Sequence, residues 1–257
     1  MSRPSIAELR RLLQDPRKPH DTPYGKVVMR TLSIYITAGL IGTRITPLAV
    51  TLVSVVAGLF GVWELYQGHW ISGILWVNAW YLLDHVDGEL ARYRKTVSVT
   101  GLYFDTIANA IVQPLAFAAM GVSVWSATGD LDHLAVGLVS AYASLMLLVI
   151  PYCEAAVLLQ WTQSGKMKLV GPGGPAGALS GASFFRRAFS MLHFLSAFPS
   201  ILPILTLATL AASFYGFAVD VLALLLWSYA VVSTVVWVGI LVNLVISKKL
   251  ESKVRAA

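Results

Sequence analysis

The chain is short of charge. Only 12% of its 257 residues are Asp, Glu, Lys or Arg, against 57% hydrophobic. Soluble domains carry about 25% charged residues. With a mean hydropathy of +0.71, such a chain must bury most of its surface in lipid, which excludes an ordinary soluble globule. Cysteine is nearly absent as well. The single Cys153 lies in an apolar run and excludes a disulfide framework within one chain. No apolar core follows the first few residues, so the start does not read as a secretory signal. There is no internal repeat and no low-complexity tail.

Six long apolar segments are present, at about 46–66, 70–92, 101–126, 133–160, 191–214 and 219–246. Each is near the roughly 20 residues that a spanning helix needs. Eight Trp and ten Tyr suit aromatic belts at the two interfaces. Pro47 stands just inside the first span, where a missing N–H costs nothing. Residues 27–42 are apolar but short, with Arg30 inside and Val28, Leu32, Tyr35 and Leu40 at roughly helical spacing. An interfacial helix lying in the membrane plane fits this segment better than a span. The fold class expected is all-α integral membrane, six transmembrane helices preceded by an amphipathic juxtamembrane helix. It divides into a cytoplasmic N-terminal segment (1–45), a membrane domain (46–246) and a basic tail (247–257).

The cations sort by topology. Of the 19 Lys and Arg, 8 lie before the first span, 3 after the second, 4 after the fourth and 4 in the tail. The connections near 67–69, 127–132 and 215–218 hold none. All positive charge thus falls on one side, which puts both termini in the cytoplasm. Topology therefore accounts for the net charge of +6, and no nucleic-acid partner is expected. The longest connection, 163–190, is rich in Gly, Pro, Ala and Ser and lies on the same side. Pro199 and Pro203 are expected to kink the fifth span.

Carboxylates are scarce, so their grouping carries weight. Asp84 and Asp87 are three apart and share a helix face; Asp105 and Asn109 are four apart and share another. The turn between the two helices holds Arg92, Arg94 and Lys95. The hairpin brings the pairs together at the cytoplasmic edge, where unpartnered carboxylates would repel one another. A hard divalent cation would relieve that, and Arg92 or Lys95 could also pair with one of them. Gly88, Ala91 and Gly101 leave the surface beside the cluster bare, which suits the close approach of a phosphate. Metal, cationic rim and bare wall together suit a diphosphate substrate and metal-assisted phosphoryl-type transfer.

These residues resemble the CDP-alcohol phosphotransferase signature, D-x2-D-G-x2-A-R-x8-G-x3-D-x3-D. Here it reads Asp84, Asp87, Gly88, Ala91, Arg92, Gly101, Asp105 and then Asn109, so seven of eight defined positions agree. Thr46-Pro47 is similar to the family's Thr-Pro-Asn opening, with Leu48 in place of Asn. Ser164-Gly165-Lys166-Met167-Lys168 is weakly similar to a Gly-Lys-x-Lys segment of some bacterial members.

The resemblance implies displacement of CMP from a CDP-linked alcohol, usually CDP-diacylglycerol, by a hydroxyl or phosphate acceptor. It implies Asp84, Asp87, Asp105 and Asn109 around one or two Mg2+ or Mn2+ ions. Nucleotide binding would involve Asp84, Asp87, Gly88, Ala91, Arg92, Gly101 and Thr46. Asp105 and Asn109 take the catalytic positions, and Arg44, Lys166, Lys168, Arg186 and Arg187 are candidates for the acceptor or lipid. A homodimer in a bacterial inner membrane, working in phospholipid or related lipid synthesis, is the expectation.

Position 109 departs from the pattern. An amide can ligate a metal through its carbonyl but cannot take a proton at neutral pH. Four readings stay open. Another base such as His85 or Glu154 serves; the acceptor needs no base; the protein binds CDP-alcohol or lipid without turnover; or an Asp-to-Asn change was made to stop catalysis. A transporter reading would want charges near the midplane, and the acidic cluster is instead at the edge.

Overall fold

The structure is a computed structural model, and it describes residues 4–15, 22–164, 167–169, 191–194, 196–246 and 254–256. Helix α1 (Ile6–Leu9) opens on a capping box, in which Ser5 and Glu8 satisfy each other's backbone N–H groups. It runs on through a π-helical turn, Arg10–Gln14. A second π-helical turn, Gly25–Met29, leads into α2 (Arg30–Leu40). Four long helices follow: α3 (Pro47–Tyr66), α4 (Trp70–Arg94), α5 (Val99–Thr128) and α6 (Leu131–Gln163). Helices α7 (Phe198–Tyr215) and α8 (Ala218–Ile246) complete the bundle.

Five of these helices, α3, α5, α6, α7 and α8, are long and apolar enough to cross a membrane. Helix α4 has the length, but its last eleven residues hold Asp84, Asp87, Glu89, Arg92 and Arg94. The protein is thus an all-α integral membrane protein. Among the described residues, a three-residue antiparallel ladder is the one addition to the helical expectation. It joins β1 (Met167–Leu169), after α6, to β2 (Val254–Ala256) in the tail. The fifth apolar segment also differs from its expected start. Its long helix begins at Phe198, with Pro199 in the first turn, so only Pro203 lies inside it. Proline fits a first turn because the N–H it lacks has no helical partner there.

Glycine sets the closest packing. A Cβ on Gly61 of α3 would lie 2.9 Å from Val77 N, and one on Gly73 of α4 2.8 Å from Leu65 N. Between α5 and α6, a Cβ on Gly137 would lie 2.5 Å from Gly121 Cα. Where lipid is as apolar as the side chains, such small residues let backbones approach and give dispersion its reach. The core is aromatic at its centre. Phe117 stacks on Tyr229 at 4.1 Å, and Phe198 meets both Trp80 and Phe117 edge-on.

The N-terminal helices dock on the end of α4 that carries its charges. Leu9, Leu13 and Ile34 form a small buried cluster there. Outside it, α2 is amphipathic in an inverted sense. Ser33 and Thr37 face the protein, whereas Leu32, Tyr35 and Ile36 are exposed. An interfacial helix with its apolar side toward lipid has this pattern.

Candidate functional site

The hairpin of α4 and α5 is built by its caps. Helix α4 stops at Lys95, the only non-glycine residue with positive φ (57°) among the described residues. Left-handed backbone costs an L-residue about 1–2 kcal/mol. It is offset by the Lys95 N–H donating to Arg92 O and the Thr96 N–H donating to Ala91 O. Ser98 then caps α5, its Oγ accepting from the Gly101 N–H at 3.0 Å. Arg94 binds the turn after α2, donating to the carbonyls of Leu40 (3.1 Å), Thr43 (2.8 Å) and Ile45.

Within this hairpin the three carboxylates lie within electrostatic reach of one another. Asp84 is within electrostatic reach of Asp105 and Asp87 and lies beside Asn109. Asp87, 8% exposed, accepts from Thr51 Oγ1 of α3 at 2.5 Å. Asn109 Nδ2 donates to Asp105 Oδ1 at 3.0 Å and to Asp105 O at 2.9 Å. The Asn109 carbonyl oxygen accepts from Gln113 Nε2 at 2.6 Å. The amide thus spends its donor on a carboxylate and its acceptor on Gln113. Gln113 takes one of the two lone pairs of the carbonyl that the sequence offers to a metal.

Among the described residues no three His, Cys, Asp or Glu side chains converge on one point as a closed metal site would. The donor chemistry nonetheless fits a hard cation. Asp84, Asp87 and Asp105 bring carboxylate oxygen alone, from two helices, within mutual electrostatic reach.

The other expected site residues fall as follows. Gly88 is covered by Arg92, whose Nη1 would lie 3.2 Å from a Cβ there. The Arg92 Nε donates to Leu13 O of the N-terminal segment at 3.1 Å, and its charge is felt at Asp87. Ala91 is half-buried on α4, and Gly101 is half-buried in the first turn of α5. Thr46 is exposed and caps α3, accepting from Ala49 N–H at 3.1 Å, with Arg44 exposed two residues earlier. Lys166, Arg186 and Arg187 lie outside the described residues; of Lys168 only the backbone, paired with Arg255, is described. His85 turns its Nδ1 to Tyr81 O at 2.9 Å, and its Nε2 lies near Gly25. Glu154 is half-buried on α6, in a stretch where its neighbours are exposed.

Sequence reasoning missed Thr51, Gln113 and above all Glu89. Glu89 is 1% exposed. It accepts from Gln14 Nε2 (2.7 Å), Ser33 Oγ (2.8 Å) and Thr37 Oγ1 (2.7 Å). Two residues on from Asp87, it points to the other side of α4. One signal was available: Ser33 and Thr37 are small hydroxyls four apart on a helix whose other positions are largely apolar.

Fold and site together define an integral membrane protein of helical hairpins with a carboxylate cluster at the end of one of them. The chain belongs to the CDP-alcohol phosphatidyltransferase family, which it matches over residues 44–245. It is accordingly a transferase of substituted phosphate groups.

Among solved structures it is similar to phosphatidylinositol phosphate synthase of Mycobacterium tuberculosis with CDP-DAG bound, at 21% identity and a TM-score of 0.55. That match covers 81% of this chain and 91% of that one. The same enzyme in complex with manganese and citrate is similar at 21% identity and a TM-score of 0.51, covering 81% and 86%. At this identity the likeness shows the shared fold. No curated protein sequence matches.

Proposed function

We propose that the protein transfers a phosphatidyl group from a CDP-linked donor, CDP-diacylglycerol by preference, to an acceptor with release of CMP. The family match over 44–245 carries this reading. The grouping of Asp84, Asp87 and Asp105 on two facing helices supports it. A similar fold holds CDP-DAG in one structure and manganese in another.

In this reading all six long helices span the membrane, both termini are cytoplasmic, and the membrane is a bacterial inner membrane. Residues 1–45 form the interfacial segment, 46–246 the enzyme domain and 247–257 a basic tail. Asp84, Asp87 and Asp105 hold a divalent ion, Mg2+ or Mn2+, whose chemistry is to neutralise the diphosphate. Gly88, Ala91, Gly101 and Thr46 line the approach of the nucleotide. Arg92 holds the N-terminal segment to α4 beside that approach. Arg44, Lys166, Lys168, Arg186 and Arg187 serve the acceptor or lipid headgroup, and two copies associate.

The reaction forms one bond from acceptor oxygen to phosphorus and breaks the one to CMP. An acceptor hydroxyl must also lose a proton. Asn109 cannot accept it, and His85 packs against Tyr81 and Gly25. In this reading Asp105, 3.0 Å from the Asn109 amide, takes the proton. An acceptor that attacks through a phosphate oxygen needs no such step.

A second reading, binding without turnover, is favoured by one observation: the Asn109 amide donates to the very carboxylate that a base would need free. One experiment separates them. Full-length protein in membranes is supplied with Mg2+ or Mn2+, CDP-diacylglycerol and a panel of acceptors, and CMP release is followed by mass spectrometry. The transferase reading expects CMP and one new lipid. Donor binding without CMP release, with release appearing in Asn109→Asp, selects the second reading. If neither form binds CDP-diacylglycerol or releases CMP, both readings fall.

A further inference from the structure

The carboxylate cluster leaves one concave, charged feature unused. A cavity of about 280 Å3 opens between the π-helical turn after α1 and the start of α2, lined by Arg10, Gln14, Asp15, Lys26, Arg30 and Thr31. Small-ligand pockets begin near about 300 Å3. Three cations line it against one carboxylate, Asp15.

Topology alone asks only that cations face the cytoplasm, and an exposed lysine satisfies that. Arg30 is different: it is 6% exposed, and its Nη1 donates to Gln14 O at 3.3 Å. Gln14 in turn donates to Arg30 O and to Glu89, both at 2.7 Å. The cavity floor is therefore fixed to α4 through a buried network, and its guanidinium is held in place before any ligand arrives.

The rim meets lipid. Val27, Thr31 and Tyr35 recur every four residues on the exposed side of the helix. Val27 is 70% and Tyr35 57% exposed. Thr31 belongs both to this row and to the cavity wall. The Arg10 guanidinium lies 6.0 Å from the centre of the Tyr35 ring, spanning cavity and row. A phosphate with hydrocarbon attached matches both halves; a free phosphate matches only the cavity.

We infer that this cavity binds the headgroup phosphate of an anionic membrane phospholipid, whose acyl chains run along the Val27–Tyr35 face of α2. Each Lys or Arg near an anionic bilayer is worth about fivefold in binding. A lipid bound here sits on the helix whose Ser33 and Thr37 hold Glu89, so it steadies the N-terminal segment against the end of α4. The site does not depend on the transferase reading and is tested without any CDP compound.

The test is native mass spectrometry of the full-length protein in non-ionic detergent, titrated with phosphatidylglycerol, phosphatidylcholine of equal chain length, and inorganic phosphate as competitor. Phosphatidylglycerol is expected to stay bound where phosphatidylcholine does not, with inorganic phosphate unable to displace it at equal concentration. Arg10→Gln with Lys26→Gln is expected to weaken it about 25-fold. Arg11→Gln, an exposed cation outside the cavity, leaves binding unchanged. Should the double variant fail to fold, Lys26→Gln alone, at an exposed position, is expected to lose about fivefold. Equal retention of both lipids, full binding by the variants, or displacement by inorganic phosphate alone overturns the inference.

Discussion

Replacing Glu89 by Ala should loosen the N-terminal helices from the end of α4 without unfolding the bundle. The carboxylate is buried and accepts from Gln14, Ser33 and Thr37. Net, each such hydrogen bond is worth about 1 kcal/mol. Left without an acceptor, each buried donor would cost about 1–3 kcal/mol more. Local opening caps that penalty, because water can reach donors on a docked surface helix. The expected cost is therefore about 3 kcal/mol, the worth of three bonds, or roughly a hundredfold rise in the opened population.

Amide hydrogen exchange of Arg30–Leu40 reads this directly. Protection there should fall about a hundredfold in Glu89→Ala, while amides of α5 and α6 keep theirs. Glu89→Gln keeps the shape and one oxygen acceptor, so it should lose about tenfold, the worth of about one bond. Protection of α2 unchanged within about threefold in Glu89→Ala would refute the reasoning, since a discrepancy of that size exceeds the scatter of single hydrogen-bond values.

The glycine contact of α5 and α6 makes a second prediction. In Gly137→Leu the new Cβ would stand 2.5 Å from Gly121 Cα, so the hairpin must separate. Loss of a monodisperse peak in size-exclusion chromatography is expected, whereas Gly129→Ala, which meets nothing within 4 Å but has φ 75°, should cost only about 1–2 kcal/mol of backbone strain. Thr51→Val removes the hydroxyl that donates to Asp87. It should lower stability by about 1–2 kcal/mol, measured as the thermal midpoint in detergent, and weaken CDP-alcohol binding less than Asp87→Asn does.

How much is legible in the sequence follows from the range of each interaction. Span positions depend on composition summed over about 20 residues, and α3 and α4 begin within a residue of where hydropathy and Pro47 put them. Hydropathy misplaces the start of α7 because the segment from Met191 is nearly as apolar as a span, and only the fold shows the long helix opening at Phe198. Asp84, Asp87, Asp105 and Asn109 can be paired by helical spacing, which is a property of the chain alone. What Asn109 does with its two ends cannot, since that depends on Gln113 one turn on and on the rotamers both adopt. The role of Glu89 is only faintly legible, in the Ser33 and Thr37 pair, for a longer-range reason. Its partners are 52 to 75 residues away, and two of them lie on a helix that turns apolar side chains outward. The same holds for Arg94: its place in a cationic turn gives no hint that it binds three backbone carbonyls.

The central claim is that the carboxylates of α4 and α5 hold a CDP-linked alcohol through a divalent ion. Equilibrium binding of CDP-diacylglycerol to the full-length protein, with Mg2+ or Mn2+ and then with chelator, tests it most directly. The account predicts saturable binding that chelator weakens at least tenfold, by about 1.4 kcal/mol or more, and that Asp84→Asn, Asp87→Asn and Asp105→Asn each abolish. Binding of equal strength with chelator present, or retained in all three variants, would contradict it.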